Sequence, residues 1–243
     1  MKSIIIIPAR YGSSRFEGKP LFKILGTEMV IRVANICAKV VGKENLYVAT
    51  DNKKISKVVT SNGYKAIMTS TKCLTGTDRV AEAALKVKSD IYVNVQGDEP
   101  TINPKDIKKI IVAKIKYPNH IICGYDKVHK FENPESINLP KVVVNHQKEL
   151  IYISRALVPG KKKKEEKVNY LKQVCIYAFN KEQLKKFYSK KKKSETEKIE
   201  DIEILRFFDL NIKIKMIRLN SNSVAVDVLE DVKKAEKLLR NKN

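Results

Sequence analysis

The chain has 243 residues, of which 43% are hydrophobic and 31% charged, and its formal net charge is +22. This length suits one large α/β domain with a proper core, and the composition is that of a globular protein rather than a disordered one. The isoleucine run at residues 4–7 is far shorter than the ~18 apolar residues that span a bilayer, so we expect no membrane protein.

The positive charge comes from 41 lysines and only 8 arginines. One interpretation is a basic patch that attracts a polyanion such as nucleic acid. The other is a lysine-rich solvated surface, which fits the densest clusters (161–164 and 190–193) because they stand beside glutamates. Specific nucleic-acid contacts more often use the planar fork of arginine. We therefore expect no nucleic-acid partner.

The cysteines and the first residues indicate the compartment. The four cysteines are widely scattered and form no CxxC pair, which is typical of free thiols in a reducing cytoplasm. The isoleucine run is also shorter than the roughly 7 residues of a secretory signal core. We expect a cytoplasmic protein.

Strand and helix signals alternate over the first 120 residues, which is the pattern of a parallel α/β sheet. The isoleucines at 4–7 are β-branched and apolar on both faces, as in a central parallel strand. Apolar spacing and turn residues then predict strands at 45–50, 64–68 and 90–96 and helices at 29–41, 53–61, 78–87 and 104–115. Thr77 or Asp78 is the expected N-cap of the third helix.

After residue 121 the sequence contains more β-strand patterns. Two β-rich runs around a polar turn predict a hairpin within residues 141–156. Further patterns predict strands at 170–179 and 212–219 and helices at 181–188, 199–210 and 227–240.

A basic loop, ARYGSSRFEGKP, follows the first strand directly. Ligands of open α/β folds bind at the carboxyl edge of the sheet. Arg10, Arg15 and Lys19 put three positive charges there, and Ser13 and Ser14 add hydroxyl donors. The loop is neither a G-x-G-x-x-G motif nor a P-loop. Its place after a buried strand favours an anion site over an ordinary surface loop.

Acidic side chains follow the strand at 90–96, in the segment VQGDEP. Asp98 and Glu99 would emerge at the same sheet edge as the basic loop, where a carboxylate repels a phosphate unless a cation lies between them. Hard oxygen ligands suit Mg²⁺, although two solvated acids in a loop are the alternative. Asp227, before the last helix, is either that helix's N-cap or a second metal ligand.

The segment TGTDR, residues 75–79, places a glycine between two threonines just before a helix. Its hydroxyl and backbone N–H groups could bind a phosphate or the edge of a base. An ordinary helix cap is an equally good interpretation.

These motifs together resemble the 3-deoxy-manno-octulosonate (Kdo) cytidylyltransferases. The segments IIPARYGSSRFEGKPL, TGTDR, VQGDEP, YISRA and AVD–ED occur in the order and spacing of that family, from residue 2 to about residue 239. Tyr11 and Arg15 favour the Kdo branch over the related sialic-acid cytidylyltransferases. The resemblance implies a Rossmann-like nucleotide-diphospho-sugar-transferase fold, with a mixed, mainly parallel sheet and a β-rich insertion in the second half.

The resemblance also implies a reaction and a site. CMP would pass from CTP to the anomeric hydroxyl of Kdo, with release of pyrophosphate, for lipopolysaccharide or capsule synthesis. The reaction would need Mg²⁺ and no nucleophilic side chain, because catalysis consists of positioning and neutralising charge. Asp98 and Asp227 would bind the metal and, with Arg10 and Lys19, form the catalytic set. The residues expected to contact CTP are Ala9, Arg10, Ser13, Arg15, Lys19, Thr77 and Arg79.

The family binds its acid sugar largely from the second half of the chain. The matching residues here are Gln96, Arg155, Gln173, Tyr177 and Glu203. We accordingly expect one domain with a nucleotide-binding core (1–125), a β-rich part for sugar binding and dimer formation (126–195) and a C-terminal return to the core (196–243). A homodimer is expected.

Three departures from the family pattern leave alternatives open. Gln173 stands where the family often has histidine and cannot become cationic, so an 8-amino-Kdo or a nonulosonic acid remains an alternative acceptor. Glu17 replaces the usual proline beside the triphosphate site, and we expect its carboxylate to point outward. Val228 and Leu229 replace the usual Thr-Pro after Asp227.

The three histidines, His120, His129 and His146, lack metal-ligand spacing, and we expect them to take no part in catalysis or metal binding.

Overall fold

The computed structural model describes residues 1–12, 16–163, 165–221 and 223–241. The strands, numbered in chain order, are β1 (Ser3–Ala9), β2 (Lys23–Ile24), β3 (Thr27–Glu28), β4 (Leu46–Thr50), β5 (Lys65–Met68), β6 (Ile91–Val95), β7 (Ile121–Lys127), β8 (Lys141–Val144), β9 (Leu150–Ser154), β10 (Leu171–Phe179) and β11 (Ile214–Arg218). The α-helices are α1 (Met29–Val41), α2 (Lys53–Ser61), α3 (Gly76–Lys86), α4 (Pro104–Lys116), α5 (Lys181–Ser189), α6 (Glu195–Glu200), α7 (Arg206–Asp209) and α8 (Leu229–Arg240).

Within the described residues, nine strands form one sheet with the central order β11-β7-β10-β6-β1-β4-β5. β1 pairs in parallel with β4 and β6, and β4 pairs in parallel with β5. β10 runs antiparallel between β6 and β7, and the hairpin of β8 and β9 attaches to it. The prediction of a mixed, mainly parallel α/β sheet is therefore confirmed, and the β-rich second half enters the central sheet.

The isoleucines of β1 form the centre of the core. Each of the four at residues 4–7 is at most 1% exposed. Ile5 and Ile7 pack with apolar residues of α1, α2 and α4, whereas Ile4 and Ile6 pack with those of α3 and α5. Full burial of such a side chain contributes roughly 1.5–3 kcal/mol. Helices on both faces thus fix the strand that leads into the basic loop.

Strand β7 was missed by the sequence prediction. Its apolar residues are interrupted by Gly124 and Asp126, both of which are buried. The Asp126 carboxylate accepts a hydrogen bond from the backbone N–H of Ser221, at 2.8 Å. Because a partner distant in sequence satisfies this buried acid, a local pattern does not reveal the strand.

The predicted helix at 199–210 is wrong. Helix α6 begins earlier, because Ser194 and Glu197 form a capping box. It ends at Glu200, because the next residue, Asp201, adopts a left-handed conformation with a φ of 49°. A 3₁₀ turn over Glu203–Leu205 then leads into α7. The capping signal S-x-x-E was present in the sequence and locates the true start.

The predicted cap of α3 is also wrong, and the structure excludes one of the two alternatives for Asp227. Helix α3 begins at Gly76, and its N-cap is Thr75, whose hydroxyl accepts from the N–H of Asp78 at 3.2 Å. Asp227 is not the N-cap of α8. Instead, the carboxylate of Asp231 accepts from the N–H groups of Asp227 and Val228.

No helix in the described parts of the chain combines the length and apolar character needed to cross a bilayer.

A buried ion network joins the C-terminal segment to α3. The guanidinium of Arg206 binds Asp78 at 2.7 Å and Glu197 at 2.6 Å, and all three side chains are almost completely buried. The Phe187 ring lies 3.9 Å from the guanidinium. Hydrogen bonds to both carboxylates raise the pKa of Arg206 above its ordinary value, against the effect of burial.

Removal of this cation should destabilise the fold. Arg206→Met leaves two buried carboxylates unpaired, and we expect the free energy of unfolding to fall by about 3–5 kcal/mol. Urea denaturation measures this free energy of unfolding. The control is Lys185→Met, which breaks an exposed pair with Glu182 and should leave the midpoint nearly unchanged. Equal midpoints for the Arg206 variant and the parent protein would contradict a structural role for the network.

Candidate active site

An open pocket with a volume of about 260 Å³ lies where β1 and β6 end and α3 begins. Its lining comes from five parts of the chain: the segment after β1, the segment after β6, the start of α3, the segment around α6, and Asp227 before α8. The parallel strands deliver their following loops to one edge of the sheet. The pocket therefore lies at the edge that the sequence predicted.

Lys19 joins two acidic segments within this pocket. Its ammonium lies 2.8 Å from the Asp98 carboxylate and 3.5 Å from that of Asp227, and it also donates to the backbone carbonyl of Val226 at 3.0 Å. The backbone N–H of Val226 in turn donates to the Asp98 carbonyl. Two carboxylates distant in sequence thus converge on one cation.

The convergence depends on a close approach between two loops. A Cβ added to Gly97 would stand 2.9 Å from the backbone oxygen of Pro8, at the end of β1. This is closer than real Cβ contacts, and backbone atoms cannot rotate away. Glycine at 97 therefore lets the turn that carries Asp98 lie against β1.

The two acids of VQGDEP have different surroundings. The Asp98 side chain is 28% exposed and lines the pocket. Glu99 is buried, and burial, followed by the nearby charge of Asp98, raises the pKa of its carboxyl to about 7. Asp98 is therefore the acid that a ligand in the pocket would meet.

The basic loop is described only in part. Ala9 and Arg10 line the pocket at the end of β1, and Arg10 is exposed. Ser13 and Arg15 lie outside the described residues. Glu17 is exposed, as the sequence analysis expected.

Arg79 lines the pocket, but other residues bind its guanidinium. It donates to the Asp51 carboxylate at 2.7 Å and to the Thr69 hydroxyl at 2.6 Å, and it is only 3% exposed. The same Asp51 carboxylate accepts from the backbone N–H of Tyr11, at 3.4 Å. Arg79 therefore connects the start of α3 to the basic loop through Asp51.

Glu203 fixes the opposite wall of the pocket. One carboxylate oxygen accepts from the backbone N–H of Thr77 at 2.8 Å, and the other accepts from the amide of Gln96 at 3.0 Å. Burial raises the pKa of this carboxyl. The structure thus brings together Gln96 and Glu203, two of the five residues expected at the sugar, with Thr77 from the expected nucleotide set.

Gln173 and Tyr177 form a separate cluster on β10. The Gln173 amide donates to the Tyr177 hydroxyl at 3.0 Å and lies 3.9 Å from the sulfur of Cys123. Neither of the two is part of the pocket lining. Burial raises the pKa of the Tyr177 hydroxyl well above its ordinary value, so this side chain is a neutral hydroxyl.

The structure does not bring Arg155 into the pocket. Its guanidinium donates to the backbone carbonyls of Ile137, Glu200 and Asp201, and its N–H donates to the Glu200 carboxylate. These bonds tie the end of β9 to the end of α6. Arg155 thereby holds the turn that precedes Glu203.

The histidines lie elsewhere. His120 pairs with Glu149 at 3.2 Å, His129 lies 3.6 Å from Asp126, and His146 is exposed. None of the three is among the described residues that line the pocket.

Sequence reasoning missed two charged residues of the lining, Lys193 and Asp201. Lys193 belongs to a cluster interpreted as solvated surface, and Asp201 fell inside the wrongly predicted helix. The capping signal at Ser194 would have marked residue 193 as the end of a loop rather than a position in a charged run.

Comparisons with known proteins agree with this geometry. A family model described as "Cytidylyltransferase" matches residues 4–214. The chain is 36% identical to the 3-deoxy-manno-octulosonate cytidylyltransferase of Escherichia coli, over 98% of this chain and 96% of that protein. It is 34% identical to the 8-amino-3,8-dideoxy-manno-octulosonate cytidylyltransferase of Shewanella oneidensis, over 98% and 99% of the two chains.

A solved structure of a related enzyme has the same fold as this chain. The structure of CMP:2-keto-3-deoxy-manno-octonic acid synthetase complexed with CTP matches with a TM-score of 0.91 and 35% identity, and all of both chains is covered. The chain therefore belongs to the cytidylyltransferase family, in the group that contains the 3-deoxy-manno-octulosonate cytidylyltransferases.

Proposed function

We propose that this nucleotidyltransferase transfers CMP from CTP to the anomeric hydroxyl of Kdo and releases pyrophosphate. The observation that carries the proposal is the convergence of Asp98 and Asp227 on Lys19, beside the basic loop and the start of α3. The similarity to a synthetase structure that holds CTP supports the same assignment. The sugar hydroxyl would attack the α-phosphorus, and the bond to pyrophosphate would break.

The chain's own groups would bind and neutralise the triphosphate. Arg10 and Lys19 supply cationic side chains at the pocket, and Ser13 and Arg15 are expected to add to them. The N-terminus of α3 adds its positive dipole end. Arg79 would act through Asp51 on the position of the basic loop as well as at the nucleotide. Such positioned cations stabilise charge that develops on the leaving pyrophosphate.

The donor set of the pocket fits Mg²⁺. Asp98 and Asp227 present hard carboxylate oxygens that converge on one point, and both side chains are partly exposed. The described residues contain no cluster of three or more potential metal ligands, and Mg²⁺ is typically held by one or two carboxylates together with substrate phosphates and water. Bound there, Mg²⁺ would offset phosphate charge.

Gln96 and Glu203 are the residues best placed for the acceptor sugar, because both line the pocket and hydrogen-bond to each other. A carboxylate and an amide suit the hydroxyl groups of a sugar. An 8-amino sugar is the alternative acceptor, since a relative with that specificity is 34% identical to this chain. A nonulosonic acid is the more distant alternative.

Four further expectations belong to the proposal. They are a homodimer, a cytoplasmic location, a role in lipopolysaccharide or capsule synthesis, and no nucleic-acid partner. All of them rest on the family resemblance and on the composition of the chain.

The function can be tested with a panel of substrates. With CTP, Kdo and Mg²⁺ together, we expect release of pyrophosphate, and we expect little release when UTP replaces CTP or when EDTA removes the metal. The panel includes 8-amino-Kdo and a nonulosonic acid as acceptors. Release of pyrophosphate with one of these acceptors and none with Kdo would show that the protein is specific for that related sugar instead.

The two carboxylates can be tested separately. Asp98→Asn and Asp227→Asn should each lower kcat by at least about a hundredfold, because each removes a charge that acts on the transition state. Their thermal unfolding should match that of the parent protein. Asp209→Asn, at an exposed acid outside the pocket, is the control and should keep full activity. Full turnover in either pocket variant refutes its assigned role.

The close approach at Gly97 predicts a second kind of loss. Gly97→Ala should push the Asp98 turn away from Pro8, and a displacement of about 1 Å can lower kcat about a hundredfold. Gly160→Ala places a methyl group in open space and serves as the matched control. Steady-state kinetics at saturating CTP decide the question, and equal kcat values for the two variants would show that the turn tolerates a side chain.

A further inference from the structure

Lys193 brings a positive charge into the pocket from the second half of the chain. It immediately precedes the cap of α6, and its ammonium lies 2.7 Å from the carboxylate of Asp201, at the other end of that helix. Both residues line the pocket. The Lys193 side chain is 27% exposed and that of Asp201 is 71% exposed, so this pair faces solvent at the pocket mouth.

The other cations of the pocket already have partners or belong to the phosphate loop. Lys19 is held by Asp98 and Asp227, and the guanidinium of Arg79 is buried against Asp51. Arg10 stands at the end of β1, where the phosphate loop begins. Among the described residues, Lys193 is the one cation that the second half contributes to the lining.

An anionic acceptor needs such a cation on its side of the pocket. That side carries the carboxylates of Glu203 and Asp201, which repel an acid. Arg155, the arginine expected to bind the acid, donates its guanidinium N–H groups to backbone carbonyls. A third carboxylate placed beside these two would be repelled by both, unless a cation stood next to it.

We propose, on the basis of the function proposed above, that Lys193 recognises the carboxylate of the acid sugar and that Asp201 holds the ammonium in place until the acceptor binds. An exposed ion pair contributes little free energy, so the acceptor carboxylate can replace Asp201 at small cost. The exchange keeps the lysine paired before and after binding. Lys193 is thus a specificity-determining residue for acidic acceptors.

Substitution of the lysine provides the first test. Lys193→Gln should raise the KM for Kdo about tenfold, the lower end of the effect of a lost charge-assisted hydrogen bond, and should leave the KM for CTP unchanged. Lys192→Gln is the matched control, because Lys192 is the preceding residue, is exposed and does not line the pocket. An unchanged Kdo KM, or a rise in the CTP KM instead, overturns the proposal.

A neutral acceptor makes the test specific for the carboxylate. The parent enzyme should use Kdo about tenfold more efficiently than the methyl ester of Kdo, as measured by kcat/KM. In Lys193→Gln this preference should nearly disappear. A purely structural role for Lys193 would lower both efficiencies equally, and a preserved preference would therefore contradict the proposal.

Asp201 should respond in the opposite direction. Asp201→Asn removes the carboxylate that competes with the acceptor, so the Kdo KM should be at or below its parent value. Any rise in this KM would indicate a structural pair and count against the proposal.

The proposed function and the proposed role of Lys193 fail in different ways. If the parent enzyme does not react with Kdo, the proposed function is wrong; if it reacts and Lys193→Gln changes nothing, only the role of Lys193 is wrong.

Discussion

The site depends on one electrostatic constraint: two carboxylates from distant parts of the chain share the ammonium of Lys19. Asp98 follows β6 and Asp227 precedes α8, and each would repel the other without a cation between them. The constraint is met because the buried strand β1 fixes the start of the basic loop and because Gly97 permits the close contact with Pro8. Core packing, backbone conformation and charge therefore act on the same few residues.

Local patterns predicted the elements whose signals are themselves local. Helices α1 and α2 agree with the prediction to the residue, because their apolar spacing and end residues lie within the elements. β7 was missed because Asp126 is satisfied by Ser221, far away in sequence. The helix predicted at 199–210 failed because an apolar pattern continued past Asp201, where the backbone turns left-handed.

The site was predictable to the level of loops but not of side-chain directions. The sheet edge, the basic loop and the Asp98 turn follow from strand order and from residues just after buried strands. Arg155 shows the limit: the family resemblance led us to expect a sugar-binding residue, but its guanidinium is bound to the carbonyls of Ile137, Glu200 and Asp201. Which way a long side chain points depends on tertiary partners that no local pattern encodes.

A chain of contacts connects Glu203, on the pocket wall, with the buried ion network of Arg206. Arg206 binds Asp78 in the first turn of α3, and the adjacent Thr77 donates its N–H to Glu203, three residues before Arg206 itself. The start of α3, proposed to face the nucleotide, and Glu203, proposed to face the acceptor, are therefore anchored by one buried ion cluster. A change in that cluster would alter the geometry of both substrates together, whereas Lys193 and Asp201, which stand outside the cluster on the exposed rim, can vary without moving the phosphate side. The rim is thus where acceptor preference can change at the least cost to the fold.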